Sequence, residues 1–145
     1  MYTSNVSAHW TGEGLEFVGV DNKGREIRMG GKHIKPGQML LLAQAGCMGM
    51  DVLSILQKKR QQVTDVEVQV TGHQPDDYPR PFQAVTLNFI VKGKDLDPKA
   101  IERSIALSHD KYCVVGQSLA GNVHIETTFS IADPVTESVA EPIAE

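Results

Sequence analysis

One long apolar segment constrains the fold of this chain more than any other feature. From Pro36 to about Gln61 the pattern predicts a helix, and proline is well suited to a first helical turn. The first half, around Met39 to Met48, is apolar nearly all round, whereas the second half is amphipathic. A helix that is apolar on every side is normally buried on every side. We therefore expect a central helix that a second copy of the chain helps to cover, because one small subunit can hardly enclose it.

Alternating apolar and polar residues predict strands before and after this helix. The predicted strands are residues 1–10, 15–20, 26–29, 63–72, 82–91 and 123–131. A carboxylate followed by proline, Asp97-Pro98, indicates the start of a second helix that ends near residue 109. The order βββ-α-ββ-α-β predicts an α+β fold of mostly antiparallel sheets packed around the long buried central helix.

The length of 145 residues fits one domain. We expect this domain to span residues 1–132. The final segment, residues 133–145, is rich in proline and carboxylates, and its composition predicts a mobile tail.

Charge and the N-terminal sequence exclude several partner classes. The formal net charge is −4, whereas nucleic-acid binding needs clustered Lys and Arg. The basic run Lys58-Lys59-Arg60 lies at the predicted helix end, where it interacts favourably with the helix dipole. The first ten residues lack the pattern of a signal peptide, and no run approaches the roughly 18–20 apolar residues of a membrane span. We expect a cytoplasmic protein that binds neither nucleic acid nor membrane.

Cys47 and Cys113 are the candidates for chemistry. In a cytoplasmic chain, two cysteines are more often free or redox-active than joined in a structural disulfide. From the residues alone, the commoner interpretation is that both are small buried side chains. Redox chemistry would require a thiolate supported by a positive charge or by hydrogen-bond donors. Lys111 is the basic residue nearest to Cys113 in the sequence.

Three further features of the sequence leave the role of the cysteines undecided: two glycines and an aspartate near Cys47, and the spacing of the histidines. Gly46 and Gly49 indicate either a ligand or backbone close to Cys47, or close helix packing, and both interpretations stay open. Asp51 lies one helical turn beyond Cys47 and is expected to make a helix or dimer contact. The histidines have no metal-ligand spacing, so no metal site is expected. They are His9, His33, His73, His109 and His124.

Two segments resemble a known family. The helix segment reads P-G-Q-M-L-L-L-A-Q-A-G-C-M-G-M-D-V-L-S-I-L, from Pro36 to Leu56, and is similar to the central helix of the osmotically inducible protein C (OsmC) and organic hydroperoxide resistance proteins. The segment S-H-D-K-Y-C, from Ser108 to Cys113, resembles the second cysteine motif of that family. The order of elements also resembles the family over about residues 3–131.

The resemblance implies thiol-dependent reduction of organic hydroperoxides. Cys47 would be the peroxidatic cysteine and Cys113 the resolving cysteine, with an external dithiol as reductant and no bound cofactor. It also implies an intertwined homodimer with the site at the subunit interface.

The sequence departs from the family pattern at two charged positions. Family peroxidases carry a glutamate shortly after the helix-initiating proline, where this chain has Gly37 and Gln38. They also carry an arginine in the N-terminal sheet, for which Arg25 and Arg28 are the nearby candidates. These departures keep two alternatives open: a non-enzymatic protein that binds small apolar molecules, and a redox sensor.

Overall fold

The computed structural model of the protein describes residues 1–134. Most of the predicted mobile tail, residues 135–145, lies outside this described part. Two compact units are present, one formed by residues 1–43 and one that begins at Gln44. The elements are, in chain order, β1 (Val6–Trp10), β2 (Phe17–Asp21), β3 (Glu26–Met29), α1 (Pro36–Lys58), β4 (Gln62–His73), β5 (Ala84–Lys94), α2 (Pro98–Leu107), a π-helical turn (Ser108–Tyr112), α3 (Val114–Leu119) and β6 (His124–Ala132).

The first unit contains the predicted three-stranded meander. β1, β2 and β3 pair in that order, and both pairs are antiparallel. The indole Nε1 of Trp10 donates a 2.9 Å hydrogen bond to the carbonyl of Gly14, which fixes the turn between β1 and β2. In the next turn the carboxylate of Asp21 accepts hydrogen bonds from the backbone N–H groups of Lys23 and Arg25, both at 2.9 Å. Short polar side chains stabilise turns in this way.

The second unit is built on the sheet β4-β5-β6, with β5 in the middle. The inward residues of β5 are fully buried, as the alternation predicts: Val85, Leu87, Phe89 and Val91. The sheets are mostly antiparallel, as expected, and β4 pairs antiparallel with β5. The exception is β6, which pairs with β5 in parallel. The physical reason is the connection. The chain between β5 and β6 forms helices, and such a crossover returns the chain to the same end of the sheet.

The second helix begins where the sequence indicates. The Asp97 carboxylate accepts a 3.0 Å hydrogen bond from the backbone N–H of Lys99, and Pro98 opens α2. α2 ends at Leu107 and continues directly into the π-helical turn. The backbone N–H of Cys113 donates to the carbonyl of Ser108 at 2.8 Å and closes this turn. Single π-helical turns are rare and occur frequently at functional sites.

Only one face of α1 is buried in this chain. Its buried residues are Gln44, Ala45, Met48, Val52 and Leu56. Leu42 and Met50 are 55% and 74% exposed, so the described residues leave the other side of α1 open, as expected of a helix that one small subunit can hardly enclose. One sheet can cover only one side of a helical cylinder, and the rest needs another partner.

α1 also corrects the expectation about membrane spans. Within residues 1–134 it is one helix that is long and apolar enough to cross a bilayer by length and composition alone. That test gives weak support for a span, because the core helix of a soluble protein has the same composition. Val52 and Leu56 of α1 are fully buried in the chain, as expected for a core helix.

Candidate redox site

The second unit brings the two cysteines together. Cys47 lies on α1 and is half-buried, whereas Cys113 caps the N-terminus of α3 and is fully buried. Both cysteines are free. The Cys47 thiol is close enough to that of Cys113 to raise its pKa. Two positions separated by 66 residues in the sequence therefore form one local site, as the two-cysteine prediction requires.

Burial sets the protonation state of Cys113. Loss of solvent and then the neighbouring Cys47 thiol raise the pKa of the Cys113 thiol from 9.0 to about 11. Backbone N–H groups oppose this rise, and that of Gly116 donates to Sγ of Cys113 at 3.3 Å. Cys113 is consequently a protonated thiol at neutral pH.

A buried glutamine lies beside this thiol. Gln44 is 1% exposed, and its Nε2 donates to Sγ of Cys113 at 3.6 Å. Among the described residues, no hydrogen-bond donor reaches Oε1 of Gln44. The sequence analysis did not assign Gln44 to the site. Its position could have indicated a role in the site, because Gln44 is a polar residue within the apolar half of α1, three residues before Cys47.

Gly116 makes room for both side chains. A methyl group at this position would lie 3.2 Å from Nε2 of Gln44 and 3.4 Å from Sγ of Cys113. Gly116 is itself buried, and its N–H is one of the donors to the sulfur. Its lack of a side chain therefore allows the amide and the thiol to sit against the first turn of α3.

A second polar contact joins the segments that carry the cysteines. The hydroxyl of Ser108 donates to Oδ2 of Asp51 at 2.9 Å. Asp51 lies one turn after Cys47 on α1, and Ser108 begins the π-helical turn that ends before Cys113. The expected contact of Asp51 is thus a helix contact within the chain, and it ties α1 to the loop of the second cysteine.

The two glycines near Cys47 have different surroundings. A methyl group at Gly49 would lie 3.3 Å from Cγ2 of Val68 on β4, so close packing accounts for this glycine. At Gly46 a methyl group would meet no atom of the described chain within 4 Å. The choice between packing and ligand approach is therefore decided for Gly49 and stays open for Gly46.

The basic candidates have other partners. Within the first unit, Arg25 pairs with Asp21, and Arg28 binds Oε1 of Glu16 at 2.8 Å. His33 also approaches that oxygen, at 3.2 Å, and the hydrogen bond from Arg28 is the main cause that lowers the pKa of Glu16. Within the second unit, the ammonium of Lys111 lies 5.3 Å from the centre of the Tyr112 ring. The hydrogen-bond donors described at Cys113 are amide N–H groups rather than these cations.

The described histidines and carboxylates form no metal site. Within residues 1–134 there is no group of three or more His, Cys, Asp or Glu side chains that could hold a metal ion. Two histidines instead pair locally, His109 with Asp110 and His124 with Glu126, each at 3.0 Å.

Comparison with known proteins identifies the family. A family model described as OsmC-like protein matches residues 29–128, which include both cysteines and Gln44. The chain belongs to the OsmC-like family. The resemblance to this family that the sequence indicates is confirmed by this match. It also covers α1, the second sheet and the helices between β5 and β6 almost completely.

Individual relatives of this OsmC-like protein agree with the family and its α+β fold. Protein YhfA of Escherichia coli K12 is 42% identical over 123 residues, which are 82% of this chain and 92% of that protein. The crystal structure of a hypothetical protein from Aquifex aeolicus VF5 superposes with a TM-score of 0.84 at 28% identity, over 92% of this chain and 98% of the other. The organic hydroperoxide resistance protein OhrB of Bacillus subtilis shares the fold, with a TM-score of 0.59 at 17% identity over 89% and 98% of the two chains.

Proposed function

We propose that this OsmC-like protein reduces organic hydroperoxides through Cys47 and Cys113. The observation that carries the proposal is that α1, which bears the half-buried Cys47, meets the fully buried Cys113 at the start of α3. The names of distant relatives support a role connected with peroxides. One is OhrB of Bacillus subtilis, and another is an organic hydroperoxide resistance protein OsmC from Legionella pneumophila.

The exposure of the two thiols supports their separate roles. Cys47 is open enough to meet a hydroperoxide, so its sulfur attacks the terminal peroxide oxygen. The O–O bond breaks, the sulfur is oxidised to a sulfenic acid, and the organic part leaves as an alcohol that takes up a proton. Cys113 is buried against Cys47, so it meets the oxidised sulfur without a large movement.

Disulfide formation and reduction complete the cycle. The Cys113 sulfur attacks the Cys47 sulfenic acid, the S–S bond forms, and the hydroxyl leaves with the Cys113 proton as water. An external dithiol then reduces the disulfide by thiol exchange and is itself oxidised to a disulfide. The protein's own residues supply both sulfur atoms, so the proposed cycle uses no bound cofactor. A reducing compartment such as the cytoplasm would supply the dithiol.

A homodimer is part of this proposal. Apolar side chains on the exposed side of α1, such as Leu42 and Met50, lack cover within the described chain. A second copy of the protein would bury them in a two-fold interface. An interface that includes the exposed side of α1 would also help to enclose the apolar part of an organic hydroperoxide near Cys47.

Turnover by purified protein tests the proposal directly. With cumene hydroperoxide and excess dithiothreitol, the wild-type protein is expected to consume peroxide continuously, whereas Cys47→Ser is expected to fall to the uncatalysed rate. Cys113→Ser is the matched variant, because it retains Cys47 and is expected to form a sulfenic acid without an intramolecular disulfide. A wild-type rate equal to that of Cys47→Ser would contradict the proposal.

The first unit favours a second candidate function, binding of small apolar molecules. A cavity of about 680 Å³ is lined mainly by apolar residues, among them Leu15, Phe17 and Met29. Thermal shift with a fatty acid and with the corresponding fatty hydroperoxide distinguishes the candidates. Equal stabilisation by both, without turnover, would favour binding. One oxidation per chain, again without turnover, would instead favour a redox sensor.

A further inference from the structure

Gln44 is an unusual side chain for the interior of an apolar helix. The residue is 1% exposed, yet only Nε2 of its amide has a hydrogen-bond partner among the described residues. Buried polar atoms in folded proteins are nearly always paired, and an unpaired one destabilises the folded state. The free acceptor Oε1 therefore indicates a partner that residues 1–134 of the reduced protein do not provide.

The position of Gln44 narrows the identity of that partner. Gln44 and Cys47 are three residues apart on α1, so their side chains are neighbours on the helix surface. Both lie beside Cys113: Nε2 of Gln44 donates to its Sγ, and the Cys47 thiol is close enough to raise its pKa. Gly116 confines the amide from the opposite side, because even a methyl group there would lie 3.2 Å from Nε2.

A sulfenic acid on Cys47 would bring the missing donor. A reduced thiol carries no O–H group, whereas a sulfenic acid carries one on an oxygen bonded to the sulfur. An amide oxygen is a hydrogen-bond acceptor suited to such a hydroxyl. The O–H would therefore appear next to Gln44 only after the hydroperoxide has reacted.

We propose that Gln44 is a positioning residue for disulfide formation: Oε1 accepts the O–H of the Cys47 sulfenic acid while Nε2 holds Sγ of Cys113. This inference rests on the proposed function and extends it to the second step. With both sulfur atoms held by one amide, the electron pair of Cys113 attacks the Cys47 sulfur. The S–S bond forms, the S–O bond breaks, and the hydroxyl leaves as water with the Cys113 proton. Cys113 is oxidised and the Cys47 sulfur is reduced by the same step, so no further reactant is needed.

The Gln44→Met variant separates positioning from folding. Methionine has nearly the shape of glutamine without its donor or acceptor, so it removes both hydrogen bonds and the unpaired oxygen. Gln57→Met is the matched control, because it makes the same change at an exposed position of the same helix. The reduced proteins are first compared by thermal unfolding. Since a buried unpaired acceptor is removed, Gln44→Met is expected to unfold at the same temperature as the wild type or higher.

Oxidation of the reduced proteins then tests the step itself. Each protein is mixed with one equivalent of cumene hydroperoxide, quenched at intervals with dimedone and analysed by intact mass. Loss of hydrogen bonds in Gln44→Met is expected to slow disulfide formation about tenfold, while the sulfenic acid forms at the wild-type rate. The variant should accumulate the dimedone adduct and, with excess peroxide, the sulfinic acid of Cys47. Gly116→Ala, which crowds the Gln44 amide, should slow the same step.

A parallel series with hydrogen peroxide keeps the two proposals distinguishable. If hydrogen peroxide oxidises Cys47 and cumene hydroperoxide does not, the proposed substrate class is wrong, and the tenfold difference is still expected. If Gln44→Met forms the disulfide as fast as the wild type and Gln57→Met, the positioning role is wrong, whatever the substrate. If neither oxidant converts Cys47 to a sulfenic acid, both proposals are overturned.

Discussion

Burial gives Cys113 a protonation state that affects stability as well as chemistry. Its pKa is raised to about 11 in the folded protein, whereas an exposed thiol has the ordinary value of 9.0. Below pH 9 the thiol is protonated in the folded and the unfolded chain alike. Between pH 9 and pH 11 the unfolded chain releases this proton and the folded chain retains it. The unfolded state therefore binds fewer protons in this window, and the free energy of unfolding falls as the pH rises.

This linkage predicts a difference between the wild type and Cys113→Ala. From pH 8.5 to pH 10.5 the wild type is expected to lose more stability than the variant, by on the order of 1–2 kcal/mol. The full shift in pKa would correspond to a larger loss of stability. The expected loss is smaller because Cys47, beside Cys113, is only half-buried, so water can approach the pair. Urea unfolding at a series of pH values under reducing conditions measures the difference. Parallel pH profiles would contradict a buried, protonated Cys113.

At the residue scale, the sequence indicated the two cysteines as the candidate site but not the residues that contact them. The two cysteines are the only residues of their type, so a resemblance at each position sufficed to pair them. Gln44 and Gly116 gave no comparable signal, because their roles arise where α1 meets the first turn of α3. That contact depends on tertiary packing, which local residue patterns do not encode.

Two glycines of α1 provide a matched pair at the scale of elements. Glycine destabilises a helix by roughly 0.5–1 kcal/mol relative to alanine. Gly46 has open space around it in the described chain, whereas a methyl group at Gly49 would press on Val68 at 3.3 Å. Gly46→Ala is therefore expected to raise the free energy of unfolding by about 0.5–1 kcal/mol.

Gly49→Ala should gain little or nothing, because the side chain of Val68 must give way slightly to admit the methyl group. Urea denaturation of both variants in reducing buffer measures the two effects side by side. Equal stabilisation by both substitutions would show that α1 does not pack closely on Val68. A loss of stability in Gly46→Ala would point to a close neighbour at that position, such as a second subunit.

The elements themselves were largely predictable, since their signals are local. Alternation of apolar residues located the strands, and the Asp97-Pro98 pair located the start of α2. The π-helical turn was not predicted as such, because no side-chain pattern distinguishes it from an irregular turn. The parallel pairing of β6 was missed, although the helical crossover before it gave the necessary indication.

At the scale of the whole molecule, uncovered apolar surface is the outstanding feature. The single chain was expected to leave part of α1 uncovered, and the described residues bury one face of it. In the first unit, Val6 and Ile27 are 80% and 51% exposed on the meander. A resemblance could suggest a dimer, but neither local pattern nor the single chain can establish one, because association depends on a second surface.

Association of two chains through α1 is therefore the prediction that belongs to this scale. If Met50, 74% exposed in the single chain, is buried between subunits, Met50→Lys would place an unpaired charge in an apolar interface. Such a charge is expected to weaken dimerisation at least about tenfold. Sedimentation velocity over a range of concentrations measures the dissociation constant. Gln69→Lys, with the same charge at an exposed position of β4, is the control and should leave association unchanged.

The thermal midpoint of the wild type should also rise with protein concentration, because a dimer that unfolds to monomers is stabilised by mass action. A wild type that sediments as a monomer at every concentration would contradict the interface and leave the apolar side of α1 to another partner.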